Sequence, residues 1–203
     1  MPRPGYSDRV HHALAFAAKH HDQQVRRGVR APYLTHPANV AIILTRYGQE
    51  EAVVVAGILH DLLEDPEGAG HSRAMQAERV GQKFGGDVLA LVEAVTARHV
   101  DAEGVALSPA ERRADAVARL ATAPDGARWV RAAVTLHHAA SLVTDLERTV
   151  DPSAVWARQR QAPAATLQGY RTVHEALGAG GFAAPILDEL AETLDALGAL
   201  ARD

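Results

Sequence analysis

The chain has 203 residues, of which 47% are hydrophobic and only 4% aromatic, so a compact domain would bury mainly alanine, valine and leucine. Its net charge of −4 excludes the strongly basic surface by which many proteins bind nucleic acids or anionic membranes, and neither partner is expected. The absence of cysteine excludes disulfides, thiolate zinc sites and cysteine nucleophiles, and is typical of cytoplasmic proteins.

Capping and breaking residues divide the chain into successive helices. Ser7 is an N-cap before an apolar helical pattern, and Pro37 suits the first turn of a second helix that ends at Gly48. Ser108 and Glu111 form a capping box, which predicts another helix start. The helices predicted in this way cover residues 8–21, 38–47, 49–64, 72–84, 87–99, 108–122, 128–149, 154–177 and 185–201.

No segment alternates convincingly between apolar and polar residues as a half-buried strand does. The segment closest to a strand is the valine-rich run 52–59, but the polar residues after it keep helical spacing, which favours a helix. Pro163 is expected to kink or break the helix that contains it. We therefore predict an all-α fold in a single domain, 1–203, with any β structure confined to a short hairpin. The domain would have a core of about residues 8–150 and C-terminal helices of about residues 152–203.

A polar cluster, His60-Asp61-Leu62-Leu63-Glu64-Asp65, follows the valine-rich run directly. On an α-helix, His60 lies on the same face as Glu64, four residues later. Asp61 and Asp65 are related in the same way, so the four polar heads would share one sector of the helix. Unpaired buried charge is costly, so such a cluster favours metal binding or proton chemistry. A solvated acidic turn is the alternative, and carboxylates at a helix C-terminus oppose the helix dipole.

Two helix ends are expected to meet at this cluster. His36 begins one helix and His60-Asp61 end the next, so antiparallel packing would bring the three side chains together. Two imidazoles and one carboxylate form a plausible divalent metal set with room for water and substrate. Ligands of this kind suit Mn²⁺, Fe²⁺ or Zn²⁺ better than Ca²⁺, and a fourth ligand would come from later in the chain.

Three motifs resemble those of the HD-domain hydrolases of the RelA/SpoT homologue group, and more narrowly the stand-alone small alarmone hydrolases. They are Ala13-Leu14-Ala15-Phe16-Ala17, Pro32-Tyr33-Leu34-Thr35-His36-Pro37 and Leu59-His60-Asp61-Leu62-Leu63-Glu64-Asp65. The resemblance implies an all-α HD fold whose core holds one Mn²⁺ through His36, His60 and Asp61. It also implies removal of pyrophosphate from the 3′ position of the nucleotides ppGpp or pppGpp.

The resemblance further implies roles for residues around that metal. Glu64 and Asp65 would position and activate the attacking water, while Arg26, Arg27 and Tyr33 would contact the nucleotide. This chemistry is coherent, because a metal lowers the pKa of bound water and a neighbouring carboxylate accepts its proton. Arginine forks suit phosphate oxygens, although an exposed basic loop is the alternative explanation for the arginines.

One later helix departs from the family pattern V-K-L-A-D-K/R-L-x-N-L. In the corresponding stretch, 134–142, His138 stands where the family has its ligand aspartate. Thr135 replaces the lysine, and Leu142 replaces the asparagine that contacts nucleotide. We expect His138 to complete the site, which would raise its net charge and shift its preference toward softer or later metals. The alternative fourth ligands are His137 and Asp145.

The loss of the family lysine and asparagine leaves the function open between two classes. A metal-dependent nucleotide phosphohydrolase is favoured by Glu64 and Asp65, because a pure binding protein needs no water-activating pair. The other class is a catalytically weakened HD protein that binds a nucleotide or a partner; an HD hydrolase of a different phosphorylated substrate is a further alternative. A diiron oxygenase is a minor alternative, for which the extra histidines are His11, His12, His20 and His21.

The expected location and partners follow from what the sequence lacks. No apolar run reaches about 18 residues, the length of a membrane-spanning helix, and Met1–Gly5 lack the apolar core of a signal peptide. The protein is therefore expected in the cytoplasm, where it would act on a small-molecule nucleotide. The sequence leaves the oligomeric state open, and a homo-oligomer is compatible with it.

Overall fold

The computed structural model describes residues 6–26, 31–64, 72–159 and 161–201, and these form ten α-helices and one short 3₁₀ turn. The helices are α1 (Asp8–His20), α2 (Thr35–Arg46), α3 (Glu51–Leu59), α4 (Arg73–Phe84), α5 (Gly86–Val95), α6 (Pro109–Leu120), α7 (Asp125–Arg148), α8 (Pro152–Trp156), α9 (Pro163–Ala179) and α10 (Pro185–Leu200). The described residues contain no strand, and their β structure is limited to two isolated bridges, Val25–Pro32 and Val100–Ala106. The predicted all-α fold is confirmed.

Several helix boundaries follow the local signals in the sequence. The Ser7 hydroxyl accepts the Val10 N–H at 3.1 Å, so it caps α1. The capping box of Ser108 and Glu111 is formed in both directions. Pro163 breaks the predicted helix 154–177, because its ring cannot continue the preceding turn; α8 ends before it and α9 begins at it.

Helix α3 lies at the centre of the fold and has almost no exposed face. Its residues 53–59 are all buried, which explains why they show no apolar period. It packs against α1, α2, α5 and α7. Ala13 and Ala17 of α1 are fully buried in the core, and such small side chains let helices approach closely. The valine-rich run is therefore a buried helix, as predicted, and its end is fixed from several sides.

The predicted continuation of this helix to Glu64 is wrong, because the α-helix ends at Leu59. His60–Leu63 form a 3₁₀ turn, in which there are three residues per turn instead of 3.6. Residues four apart then differ by about 120° around the axis instead of about 40°. The expected alignment of His60 with Glu64 on one face is therefore lost.

Two other helix boundaries differ from prediction. Helix α5 ends at Val95 instead of residue 99, since arginine side chains occupy its last carbonyls. Arg119 donates to the carbonyls of Ala94 and Thr96, and Arg131 donates to that of Val95. The turn expected at 124–126 is instead the start of α7, which begins at Asp125.

The C-terminal helices pack onto the long helix α7. Helix α10 lies along α7 and buries Leu190, Leu194 and Leu197, while α9 contacts α6, α7 and α10. The division into a core of residues 8–150 and C-terminal helices within one domain stays a prediction. None of the described helices combines the length and apolar character needed to cross a membrane.

Gly57 of α3 tests how tightly the central helix is packed. A Cβ atom there would lie 2.5 Å from Leu44 Cδ1 and 3.1 Å from Val40 Cγ1, both buried on α2. We expect Gly57→Val to lower the free energy of unfolding by about 1–3 kcal/mol, the usual cost of overpacking. The control is Gly169→Val on the exposed side of α9, where no atom lies within 4 Å. Urea unfolding should show little change for the control, and equal destabilisation would contradict the close contact.

Candidate metal centre

Three parts of the fold bring polar side chains to one place. Helix α2 begins immediately before His36, which therefore lies in its first turn. The 3₁₀ turn after α3 carries His60 and Asp61. Helix α2 packs against both α3 and α7, and α7 carries His137 and His138 near its middle. Residues about a hundred positions apart are thus neighbours.

The two imidazoles and the carboxylate that the sequence grouped together do converge. His36 Nε2 lies 3.2 Å from His60 Nε2, which in turn lies 3.0 Å from Asp61 Oδ1. Asp61 Oδ2 lies 3.8 Å from His36 Nε2, and one potential ligand atom from each residue lies within 4.8 Å of the other two. Nitrogen and oxygen donors at these spacings fit one divalent ion with coordination positions left over for water or substrate.

Hydrogen bonds from outside this group fix the orientation of its members. The His60 Nδ1–H donates to the Gly57 carbonyl at 2.8 Å, so Nε2 faces the other two residues. The Tyr33 hydroxyl donates to Asp61 Oδ2 at 2.6 Å. Partners of this kind hold metal ligands in place and adjust their basicity. The hydroxyl of Tyr33, which the sequence assigned to the substrate, is thus engaged with a candidate metal ligand.

The charges within the cluster are strongly coupled. Burial by itself lowers the pKa of His60, but the Asp61 carboxylate and hydrogen bonds outweigh it and raise that pKa. Burial by itself raises the pKa of Asp61, but His60 and the Tyr33 hydroxyl hold it below its usual range. Burial, together with Asp61, raises the pKa of Tyr33, so its hydroxyl remains a donor. His60 and Asp61 therefore each favour the charged form of the other, and a metal bound there would compete with the proton on His60.

The two histidines of α7 contact His36 in different ways. His137 Nδ1 lies 2.8 Å from His36 Nδ1, on the side of the ring away from His60. The His138 ring stacks on the His36 ring, with centroids 4.4 Å apart and planes 15° apart. Burial lowers the pKa of His137 to about 4 and that of His138 to about 3, so both are neutral at pH 7. The fourth ligand stays a prediction: His138 packs against the His36 ring and is not part of the group formed by His36, His60 and Asp61.

A cavity of about 520 Å³ adjoins the cluster. Residues that line it include Arg26, His137, His138, Leu142, Arg148 and Tyr170. Two arginines and an aromatic ring therefore line the same cavity as the two histidines that contact His36. Such a combination suits an anionic ligand that also carries a ring.

The remaining predicted residues lie in different positions. Glu64 is exposed, and its carboxylate accepts the Ala97 N–H at 3.5 Å. Asp145, the third candidate ligand, lines the cavity instead of joining the group of His36, His60 and Asp61. Asp65 and Arg27 lie outside the described residues.

Several residues of the site region were not singled out from the sequence, among them Arg131, Ser141, Arg148 and Tyr170. Arg131 lies one turn before Thr135. Burial lowers its pKa, and the nearby carboxylates of Glu64 and Asp61 offset only part of this effect. Ser141 and Arg148 line the cavity. For Arg131, the available signal was its position seven residues before His138, because residues seven apart on a helix point in similar directions.

The four histidines considered as extra ligands lie on or next to α1. His11 and His12 are exposed, while His20 and His21 contact Gln76 and Gln24. The metal-binding group found among the described residues includes none of them. The structure therefore offers no support for the diiron alternative.

The sequence matches the HD-domain family model over residues 13–157, which contain His36, His60 and Asp61. The chain belongs to the HD-domain family. HD-domain hydrolases depend on a divalent metal ion, and this HD-domain protein has a histidine–aspartate cluster with the geometry to hold one. The resemblance drawn from the three sequence motifs is confirmed at the level of the family.

Individual relatives agree with this assignment. The chain is 34% identical over 93 residues to an Aquifex aeolicus protein named guanosine-3′,5′-bis(diphosphate) 3′-pyrophosphohydrolase, covering 46% of this chain and 12% of that protein. It is 39% identical over 87 residues to the Xenopus tropicalis pyrophosphohydrolase MESH1, covering 41% of this chain and 45% of that protein. The chain thus spans less than half the length of either relative.

Solved structures extend the similarity to the whole fold. A metazoan ortholog of SpoT, described as hydrolysing ppGpp, superimposes with a TM-score of 0.73 at 26% identity, covering 96% of this chain and 97% of that one. The Listeria monocytogenes EGD-e protein lmo0812 gives a TM-score of 0.65 at 28% identity, covering 79% and 96%. The predicted HD-type helical fold is confirmed.

The Tyr33 hydroxyl is predicted to support metal binding. Tyr33→Phe removes its hydrogen bond to Asp61, and loss of such a contact typically weakens metal affinity by about 10–100-fold. The control is Tyr47→Phe, whose hydroxyl contacts Glu189 on α10 instead. Titration calorimetry with Mn²⁺ would measure the metal affinity of both variants and of the wild type. Unchanged affinity in Tyr33→Phe would show that Asp61 is held by other groups.

The lowered pKa values of His137 and His138 predict a pH-dependent stability. An ordinary imidazole has a pKa of about 6.5, so between pH 6.5 and about 4.5 these two side chains bind more protons in the unfolded chain than in the folded one. The free energy of unfolding of the metal-free protein should therefore fall as pH decreases through this window. Urea unfolding with a chelator present would measure it, and His138→Gln should flatten the slope. A stability independent of pH there would contradict the neutral buried histidines.

Proposed function

We propose that this protein is a metal-dependent nucleotide phosphohydrolase that removes pyrophosphate from the 3′ position of ppGpp or pppGpp. The observation that carries the proposal is the convergence of His36, His60 and Asp61 beside a cavity that contains two arginines. The names of the Aquifex and Xenopus relatives, and the description of the metazoan structure, point to the same reaction. The proposed place of action is the cytoplasm.

The proposed cofactor is Mn²⁺, with Fe²⁺ and Zn²⁺ as alternatives, held by His36, His60, Asp61 and His138. The donor atoms suit such ions, because imidazole nitrogen and carboxylate oxygen are available without thiolate. When bound, a metal of this kind lowers the pKa of a bound water and so supplies a hydroxide nucleophile near neutral pH. A third imidazole in place of the family carboxylate favours the later metals of this series.

The chain's own residues would prepare the reaction around that centre. Tyr33 holds the Asp61 carboxylate through a short hydrogen bond, and the Gly57 carbonyl holds His60. We assign Glu64 and Asp65 to orient the attacking water and accept its proton. The carboxylate of Glu64 is exposed and its contact with the Ala97 amide is long, so it is free to turn toward a bound substrate.

The cavity gives the substrate its proposed position. Arg26 and Arg148 present guanidinium groups to phosphate oxygens, and Tyr170 offers a ring against which a purine can pack. We also assign Arg27, the next residue in the sequence, to contact the nucleotide. A polyphosphorylated nucleotide would also offset the positive charge that a third histidine ligand brings to the site.

One observation favours a different phosphorylated substrate as the second candidate. Leu142 lines the cavity where the family has an asparagine that contacts nucleotide, and leucine has no group to hydrogen-bond a base. The Thr135 hydroxyl donates to the Arg131 carbonyl in its own helix and is not part of the cavity lining described. The contacts that select a guanine nucleotide in the family are thus replaced.

A substrate panel tests the proposed reaction. We expect the protein with Mn²⁺ to release pyrophosphate from ppGpp, and His60→Ala to abolish this and to reduce the metal content found by elemental analysis. GTP, 3′-nucleotides and NADPH are assayed separately as alternative substrates. If another phosphorylated compound is cleaved and ppGpp is not, the second candidate is correct. Cleavage solely of a compound without phosphate would overturn the reaction class.

Glu64 provides a separate test of the water-activating role. Glu64→Gln keeps the shape of the side chain but removes its basicity, so turnover should fall by about 10²-fold or more. Metal content should stay unchanged, because Glu64 is outside the group formed by His36, His60 and Asp61. Glu192→Gln on an exposed part of α10 is the control. Full activity of Glu64→Gln would remove this residue from the mechanism.

A further inference from the structure

The ring of His36 uses its two nitrogens in two directions. Nε2 faces the proposed metal position, where His60 Nε2 lies 3.2 Å away. Nδ1 faces His137 Nδ1 at 2.8 Å. His36 and His137 are 1% and 8% exposed, so water has little access to this second contact. A buried nitrogen–nitrogen approach this short is a hydrogen bond or a repulsion.

The donor in this contact can be assigned from the chemistry of the ring. A ligand nitrogen must be unprotonated, so a neutral His36 that binds metal through Nε2 carries its proton on Nδ1. His36 Nδ1–H therefore donates to the unprotonated Nδ1 of His137. The proton of neutral His137 is then on Nε2, which lies 3.4 Å from Ser141 Oγ.

Ser141 is arranged to accept that proton. Its hydroxyl donates to the His137 carbonyl at 2.7 Å, which leaves the oxygen lone pairs for other donors. Arg26 Nη1 approaches the same oxygen at 3.5 Å, at the limit of hydrogen-bonding distance. A polar chain of four residues thus leads from His36 through His137 and Ser141 to Arg26 on the cavity wall.

We propose that His137 is a positioning residue that fixes the tautomer and orientation of His36 and is not itself a metal ligand. The inference rests on the metal site assigned under the proposed function, but not on the identity of the substrate. A hydrogen-bond acceptor behind a ligand histidine holds the lone pair of that histidine toward the metal and raises the basicity of the ring. A carboxylate or a backbone carbonyl usually has this role. In this chain an imidazole from α7 takes that role.

Two substitutions distinguish the loss of the hydrogen-bond acceptor from a change in side-chain volume. In His137→Asn, the amide oxygen can occupy the position of Nδ1 and still accept from His36. In His137→Leu, the side chain has similar bulk but no acceptor. We expect His137→Leu to weaken Co²⁺ binding by about 10–100-fold, and His137→Asn to restore most of the wild-type affinity. The visible absorption of bound Co²⁺ measures affinity and also reports which ligands surround the ion.

The shape of the Co²⁺ spectrum distinguishes positioning from ligation. At saturating Co²⁺, the band should keep its position and intensity in both variants, because no ligand has been removed. A band changed in both variants would mean that His137 binds the metal, and equal weakening in Asn and Leu would mean that no acceptor is needed. Unchanged affinity in Leu, or no Co²⁺ binding by the wild type, would also overturn the proposal.

A matched control and a metal-free measurement complete the test. His174→Leu alters a histidine of α9 whose Nε2 contacts the Leu187 carbonyl, and it should leave Co²⁺ affinity unchanged. Nitrogen-15 NMR of the metal-free protein should show the His36 proton on Nδ1 and the His137 proton on Nε2; the opposite arrangement would overturn the assignment. These measurements use no nucleotide, so failure to cleave ppGpp would contradict the proposed function and leave this inference standing.

Discussion

The fold depends on the complete burial of α3. Because residues 53–59 have no face toward water, neighbouring helices must surround them, and the chain leaves this helix at a fixed point inside the fold. At that point the backbone tightens into the 3₁₀ turn that carries His60 and Asp61. Two polar residues at the end of a buried helix need partners, which are supplied by His36 in the first turn of α2 and by the Tyr33 hydroxyl. The middle of α7 in turn packs against His36. The metal centre is thus a consequence of where an apolar helix ends.

The electrostatics of the site depend on a single carboxylate. Asp61 faces His60 and His36 and also accepts from Tyr33, so its two oxygens are shared among three partners. The other imidazoles near it are kept neutral by burial, which leaves their lone pairs available for a metal or for a hydrogen bond. A centre with one carboxylate carries less negative charge than one with two, so an anionic substrate meets less repulsion there.

The departures from the family pattern are concentrated on one helix. Thr135, His138 and Leu142 all lie on α7, and His138 and Leu142 line the cavity. The same helix therefore changes the metal surroundings and the substrate wall together. Under the proposed function, His36 and the His60-Asp61 pair would keep the metal chemistry of the family, while the changes on α7 would alter both the fourth ligand and the selection of the phosphorylated substrate.

The sequence by itself determined the all-α fold, most helix boundaries and the group formed by His36, His60 and Asp61, because caps, prolines and motif spacing are local signals. Tertiary structure decided the rest. The end of α5 is set by arginines from α6 and α7, and the 3₁₀ turn follows from how the end of α3 packs between its neighbours. The contact of His36 with His137 joins residues 101 positions apart. Such a contact depends on how two helices pack, and no local periodicity encodes which nitrogen of a ring meets which partner.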